Sequence, residues 1–567
     1  MEHTLLPTGL ASLRRVAPFR RLHTSWLTLA YRPALLTLML VGFLLRLALL
    51  TPFPFREDEA IYSLWALHIT RADPLMLTVW PDKPPVFLWL LGGTFSILGA
   101  GEAQARFFNV AVSILTVPVL AAAARILWGE KTAVLTALFF VFNPFAISFS
   151  ATAFTDPLLV LFGALTFHAA VSRRPFWAGV WLALAIMTKQ QGILYTPLGF
   201  AMAWGGGEAM MRRGGDAERR DASTTGAPRA DLRIFASSHH RFSISSPLRL
   251  VASLLLGAAV ILAPIVLWDA ARWQVAPSPW DLSVRNYGGF ALAPVTTWPA
   301  RLAEWGSLLW YIAGNGWVWA AGAVMGVVWG REAKRRRGGE GEAAPGVRSR
   351  FWSSPHRLIT LSLLLWPIVF LAFHVTTTTQ IWDRYLLPLA PAFALGMAAV
   401  TARTTALLPG NRLRVAAVVL VTALLLPPAW TAARGGMPIG GDHGGYDGLH
   451  QVIDWLESEA PAGSILYHQV LGWHYRFYFF DETAPGDNRF DLRWYPNPVY
   501  LADNAAKIGH ARRFLVLPEW VSLRNWTRDL AVRRIEATER LRAGRFTLYE
   551  LTGPPQEYCD WCFSQTK

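Results

Sequence analysis

Apolar residues occur along this chain in long runs rather than in alternation. Runs near the ~20 residues that cross hydrocarbon as a helix fall at 33–52, 103–125, 132–151, 157–172, 175–189, 191–205, 249–270, 305–330, 356–374, 385–403 and 411–432. Each predicts a membrane span. The run 84–101, "PPVFLWLLGGTFSILGAG", opens on two prolines and contains Gly92-Gly93, so it predicts a re-entrant or juxtamembrane helix that does not cross. From about 433 the pattern changes. "GGDHGGYDG" reads as a linker, and "LHQVIDWLESEAP" has helical apolar spacing. "SILYHQV", "RRFLVLPEW" and "RFTLYELTG" have strand composition. The expectation is a polytopic α-helical membrane protein of about 11 to 13 transmembrane helices, with a C-terminal α/β domain over 433–567.

Composition supports this. Of 567 residues, 16% are charged and 53% hydrophobic, whereas soluble domains carry about 25% charged residues. The net charge of +15 therefore does not point to nucleic acid, because Lys and Arg of membrane proteins gather in cytoplasmic loops. The basic tail 1–32 lacks a short apolar region with a cleavage site, and is read as cytoplasmic rather than as a signal peptide. Arg125 and Lys131, Arg173 and Arg174, the segment 211–248, Lys334 to Arg337, and Arg403, Arg412 and Arg414 all fall inside if the spans alternate from there. The first external loop is then 53–102. Loops 205–248 and 331–355, rich in Gly, Arg and Ala, read as flexible and cytoplasmic. The C-terminal domain lies outside, suited to covering the external face or binding an acceptor. Cys559 and Cys562 in "CDWC" make one C-x-x-C, too few ligands for zinc, and receive no role.

The same alternation gathers polar residues on the external face: Glu57, Asp58, Glu59 and Tyr62; Asp82 and Lys83; Glu102 and Arg106; Asp156; Lys189, Gln190 and Gln191; Arg285, Asn286 and Tyr287; His374, Asp383, Arg384 and Tyr385. Charges at a membrane boundary are costly when desolvated and mark function. Asp58 stands between two other acids, and crowded like charges call for a cation. Lys83, Lys189 and Arg384 could supply it.

"REDEAIY", "DKPPVFLWLLGGTFSILGAGEAQARFFNVAVSILTV", "FTDP", "MTKQQGIL" and "DRYLLPLAPAFAL" follow in order. Over about 33–432 the chain resembles the GT-C glycosyltransferases of family 39, the protein O-mannosyltransferases and bacterial relatives such as the aminoarabinose transferase that modifies lipid A. The resemblance implies a GT-C-like transmembrane catalytic domain over 33–432. It implies transfer of a sugar from a polyprenyl-phosphate carrier to a protein, lipid or glycan acceptor at the outer face of the cell membrane. Asp58 matches the family's catalytic carboxylate, with Glu59 and Tyr62 completing its motif. Asp156 matches the acid of the second external loop. Lys83 and Lys189 match cations near the donor phosphate, and Arg384 and Tyr385 match the late loop element. Asp82 stands where the family commonly has Glu. In some members that acid helps hold a metal, for which His374 is the one partner in view. No required cofactor can be read, and a divalent metal stays open.

Elementary chemistry agrees with that resemblance. A lipid-phosphate leaving group needs cations rather than a general acid, and the acceptor hydroxyl needs a base, which a carboxylate can be. Direct displacement inverts C1, whereas retention would need a second carboxylate as nucleophile. The alternative is a polyprenyl-lipid transporter or flippase. It should place polar groups near the midplane in interrupted, repeated helices. Here they gather at one face, with Arg46 in the first span as an exception.

Overall fold

The structure is a computed structural model and describes residues 24–50, 53–200, 246–289, 291–339, 355–440, 444–508, 511–522 and 524–553. Cys559, Cys562 and most of loops 205–248 and 331–355 lie outside these residues. Helices α1 (Thr24–Leu47), α2 (Glu57–Arg71), α3 (Pro85–Leu98) and α4 (Glu102–Trp128) come first. The bundle continues with α5 (Glu130–Val141), α6 (Pro144–Ser150), α7 (Asp156–Val171), α8 (Pro175–Thr188) and α9 (Ser246–Arg272). It is completed by α10 (Pro279–Tyr287), α11 (Trp298–Ala313), α12 (Gly316–Gly339), α13 (Pro355–Thr376), α14 (Leu389–Ala406) and α15 (Asn411–Ala433). Most of these share one continuous apolar core.

This is a membrane protein. Among the described residues, three helices are long and apolar enough to cross a bilayer, or up to five if each bent pair is one span. Others that the sequence reading took as spans are shorter, such as α7 with 16 residues and α8 with 14. The 84–101 run forms α3, whose 14 residues lie against α2.

Several expected boundaries are corrected. The run 132–151 is two helices bent by 56°. Asn143 caps the second, its Oδ1 accepting from the Ala146 N–H at 2.8 Å, and Pro144 takes the first helical position. The break frees carbonyls at the end of α5, and Arg46, fully buried, donates to those of Val141 at 3.2 Å and Phe140 at 3.5 Å. The intramembrane arginine thus satisfies backbone groups that lipid could not.

The run 305–330 is likewise two helices, α11 and α12, and the bent pair there turns by 86°. Gly314 at the break has φ +77°, and a Cβ on it would lie 2.4 Å from Pro428 Cβ. Asn315 caps α12 by accepting from the Val318 N–H at 2.9 Å. α12 then runs on to Gly339, so the first part of the expected 331–355 loop is helical. Gln190–Tyr195, where the expected span 191–205 begins, form a 3-10 turn, as do Asp383–Leu386 before α14.

The C-terminal domain contains α16 (Leu449–Glu459), β1 (Ile465–His468), α17 (Gly472–Tyr478), β2 (Asp491–Trp494), α18 (Pro498–Ala506), β3 (Arg513–Pro518), α19 (Trp526–Val532), β4 (Glu536–Ala543) and β5 (Phe546–Thr552). The sheet order is β2-β1-β3-β5-β4. β1 is parallel to β2 and β3, whereas β5 is antiparallel to β3 and β4. Alternate residues feed two cores: Leu466, Phe514, Val516 and Leu548 on one face, Ile465, Tyr467, Leu515 and Leu551 on the other. The three strands read from sequence are the inner ones. The edges β2 and β4, "DLRW" and "EATERLRA", are polar, as edges exposed to solvent tend to be. Where the linker meets the sheet, Gly448 has φ +93°, and a Cβ there would collide with the Ala543 carbonyl oxygen.

Candidate active site

α2 is the next helix after α1 in the chain. Its first turn holds Glu57, Asp58 and Glu59, where the exposed N–H groups of a helix start favour carboxylates. The three then diverge. Glu59 is buried: Oε1 accepts from Arg106 Nε at 3.1 Å and from the Ala153 N–H at 2.9 Å. Its Oε2 accepts from Arg106 Nη2 at 3.1 Å and from the Arg56 N–H at 3.0 Å. Burial alone would raise this carboxyl, but the Arg106 and Arg56 charges and hydrogen bonds outweigh it and hold it at about 2. Glu59 is therefore an anchor for the loop, with both oxygens engaged, rather than the catalytic partner expected. Arg106 extends the anchor by donating to the carbonyls of Phe53 at 2.7 Å and Leu50 at 3.0 Å.

Asp58 keeps about a third of its side chain exposed and pairs through Oδ2 with Nη1 of Arg384. Both line a cavity of about 940 Å³, together with Glu57, Glu304, Trp382 and Tyr287. Burial, and then the charge of Asp58, push the Glu57 carboxyl above the usual range.

Two further acid–cation pairs lie close by. Lys83 Nζ donates to Asp82 Oδ1 at 3.0 Å and to the Tyr287 hydroxyl at 2.8 Å, while Asn286 Nδ2 donates to Asp82 Oδ2 at 3.0 Å. Burial pulls the Lys83 ammonium down despite Asp82. Lys189 Nζ donates to Asp156 Oδ1 at 2.5 Å and lies 4.0 Å from the Tyr385 ring centroid. Lys83, Lys189, Gln191, Tyr287, His374 and Tyr385 line a second, smaller cavity of about 70 Å³. Tyr287 belongs to both walls.

The structure thus brings Asp58, Asp82, Lys83, Asp156, Lys189, Arg384 and Tyr385 to one place. Three acids face three cations, so these six side chains sum to zero charge. Tyr62 is buried beside them, its ring 5.9 Å from Lys83 Nζ and edge-on to Phe87. His374 is a packing residue. Its Nδ1–H donates to the Phe370 carbonyl at 2.8 Å and its Nε2 accepts from the Gln191 amide at 2.8 Å.

Among the described residues, no three His, Cys, Asp or Glu side chains gather closely enough to hold a metal ion. Asp82 is engaged by Lys83 and Asn286, and His374 by Gln191 and Phe370. The acid and histidine considered as metal partners therefore do not form a donor set, and no step is routed through a divalent ion.

The C-terminal domain is seated on this loop. His474 Nε2 donates to the Phe55 carbonyl at 2.7 Å, and Tyr478 donates its hydroxyl to Glu102 Oε1. His450 Nε2 lies 3.0 Å from the same oxygen. Gly445, Tyr446, Trp520 and Arg545 of this segment complete the wall of the large cavity. Sequence reasoning missed these four, and also Glu304 and Trp382. None sits in a motif, and the only available signal was Glu304, a lone acid in an apolar run.

With this geometry established, comparison with known proteins is informative. The family described as dolichyl-phosphate-mannose-protein mannosyltransferase matches residues 82–213. No curated protein matches the sequence. Among solved structures, ArnT from Cupriavidus metallidurans bound to undecaprenyl phosphate superposes with a TM-score of 0.56 at 14% identity. That match covers 93% of this chain and 98% of that one. ArnT in the apo state gives the same values. The archaeal oligosaccharyltransferase AglB from Archaeoglobus fulgidus reaches a TM-score of 0.47 at 13% identity, over 93% of this chain and 74% of that one. The chain therefore has the GT-C fold, of the ArnT-like kind, with a mannosyltransferase-like sequence over 82–213.

Proposed function

We propose that this protein transfers a sugar from a polyprenyl-phosphate donor to an acceptor hydroxyl at the extracytoplasmic face, by a single inverting displacement. The observation that carries the reading is the meeting of Asp58 and Arg384 in one cavity, with a smaller lysine-lined cavity that shares Tyr287 and Gln380 with its wall. ArnT, of the same fold, has been solved with undecaprenyl phosphate.

In the reaction, the acceptor oxygen forms a bond to C1 while the C1–O bond to phosphate breaks. The bonding pair leaves on the polyprenyl phosphate. The acceptor proton goes to the Asp58 carboxylate, or to Glu57 beside it. Arg384, Lys83 and Lys189 stabilise the departing anion, where partial exclusion of water strengthens each contact. Each of these cations faces a carboxylate. A bound phosphate competes with Asp58 for Arg384 and so frees the base. Donor binding then precedes activation of the acceptor.

Transport is the weaker reading. The bundle does contain broken helices, but at the α5–α6 break the Phe140 and Val141 carbonyls are closed by Arg46 and the Ala146 N–H by Asn143, rather than left open to an ion. The test is equilibrium binding of undecaprenyl phosphate and of undecaprenol to the purified protein. Binding that requires the phosphate supports the reading, and equal affinity for the alcohol defeats it. Comparing envelope glycans and glycoproteins by mass spectrometry, with and without the protein, identifies the product.

A further inference from the structure

The wall that the C-terminal domain lends to the large cavity has its own chemistry. Trp520 is 40% exposed although its ring packs edge-on to Phe546, with centroids 5.4 Å apart, and beside Tyr446 at 6.1 Å. Trp382, on the bundle side of the same cavity, is 47% exposed, and its Nε1 donates to Gln380 Oε1 at 2.9 Å. Arg545 lies over the Trp520 ring at 4.8 Å and Arg384 lies 5.4 Å from the Trp382 ring, and the remaining exposed surface of the two tryptophans borders one polar chamber. Exposed aromatic rings with a polar handle suit ligands that are apolar on one side and hydrogen-bonding on the other.

Charge narrows the class. The arginines lining the cavity are all engaged: Arg384 with Asp58, Arg56 with Glu59, and Arg545 with Glu519. Glu57 and Glu304 have no cationic partner among the described residues. The chamber is thus electronegative beyond the donor-phosphate cations. It disfavours an acceptor bearing its own phosphate or carboxylate, and it offers carboxylate and amide oxygens to hydroxyl groups. Nor does it offer a peptide a strand to extend, since the lining residues include none from the edge strands β2 and β4. A pyranose fits what remains. One face of its ring is C–H, which stacks on an aromatic face, and its rim is hydroxyl.

We propose that the acceptor is a neutral saccharide, stacked on Trp520 and framed by Tyr446 and Trp382, with hydroxyls toward Glu57 and Glu304. This rests on the transferase reading above and assigns the C-terminal domain a part in acceptor choice. The cavity of about 940 Å³ is at the upper end of the range for small-molecule sites, large enough for an acceptor beside the donor sugar.

The experiment uses the full-length protein in a detergent without a sugar head group. Affinities are measured for a panel of neutral hexose disaccharides, for the same disaccharides phosphorylated, and for a serine- and threonine-containing decapeptide. Undecaprenyl phosphate is titrated in parallel. A neutral disaccharide should bind, its phosphorylated form more weakly and the peptide not at all. Trp520→Ala should weaken the disaccharide about tenfold or more while undecaprenyl phosphate binds as before. Trp382→Ala, on the bundle side, should weaken it independently, which covers the case in which Trp520→Ala fails to fold. Preference for the peptide or the phosphorylated sugar, absence of saccharide binding, or indifference to both tryptophan changes would each overturn the proposal. If undecaprenyl phosphate itself fails to bind, the transferase reading has failed. If the lipid binds and the saccharides do not, only the acceptor assignment has.

Discussion

The guanidinium of Arg384 closes on the carboxylate of Asp58 in the wall of the large cavity, so the candidate base and the candidate phosphate ligand hold each other. Asp58→Asn keeps the shape and removes the proton acceptor. Transfer should fall by about 10²-fold or more, with undecaprenyl-phosphate affinity retained. Because Asp58 also competes with phosphate for Arg384, that affinity should be at least as high as in wild type; radiolabelled sugar transfer checks the first expectation and equilibrium binding the second. Near-normal transfer by Asp58→Asn, together with its loss in Glu57→Gln, would move the base one residue back.

Lys189 is a different case, because its partner Asp156 is buried with it. Lys189→Met alone leaves a buried carboxylate uncompensated and should cost about 3–5 kcal/mol, read as a lowered melting temperature. Adding Asp156→Asn should restore the melt. The role in binding lipid phosphate is then measured on the double variant. Full lipid affinity there would remove Lys189 from the donor site.

The anchor at Glu59 is expected to be structural. Both Glu59→Gln and Arg106→Met break a pair in which each side chain is at most 4% exposed, and each should destabilise by about 3–5 kcal/mol. Acid should act in the same direction. With the folded Glu59 held at about 2 and an ordinary carboxyl near 4.3, its contribution is complete above that ordinary value and lost as pH falls toward 2. Acid melts of wild type and Glu59→Gln should converge. Parallel curves would refute the assignment.

The seat of the C-terminal domain should respond to milder acid. Burial lowers the His474 imidazole from 6.5 to about 4, against the opposing effect of its bond to the Phe55 carbonyl. His468 is lowered to about 4 by burial as well. Between pH 6.5 and 4 the unfolded chain binds these protons and the folded one does not, so stability declines as pH falls through that window. His450 opposes this, since its hydrogen bond to Glu102 raises it. Two lowered groups outweigh one raised group, and the melting temperature should drop between pH 7.5 and 5. In His474→Gln, whose amide can still donate to Phe55, the drop should shrink. An unchanged drop would place the sensitivity elsewhere.

The orientation read from the basic loops can be tested at two exposed positions. With Cys559 and Cys562 first changed to Ser, a cysteine replacing Glu482, half exposed on the C-terminal domain, should react with a membrane-impermeant thiol reagent applied to intact cells. One replacing Lys131, exposed at the start of α5, should react only after permeabilisation. Labelling of Lys131→Cys from outside would invert the topology.

The amino-acid pattern by itself determined what short-range chemistry fixes. Long apolar runs demand helices in lipid. The inner strands 465–468, 513–518 and 546–552 show themselves because both faces are buried. Asp58, Lys83, Asp156, Lys189 and Arg384 stand out as charges where charge is costly. The breaks at Asn143-Pro144 and Gly314-Asn315 were also written in the sequence, but an apolar average hides two residues that cap and turn a helix.

Only the tertiary structure decided which charge meets which. Glu59 and Asp58 are neighbours in one helical turn, about 100° apart around the axis, so one enters the Arg106 cage and the other faces the cavity. Pairings such as Asp58 with Arg384 and Asp156 with Lys189 join segments far apart in the chain. No local pattern can specify them, because each depends on where the packed helices bring the segments together. The aromatic wall of Tyr446, Trp520 and Trp382 belongs to the same class. Three unremarkable residues in separate segments become one surface only when the C-terminal domain is seated on the loop through Phe55 and Glu102.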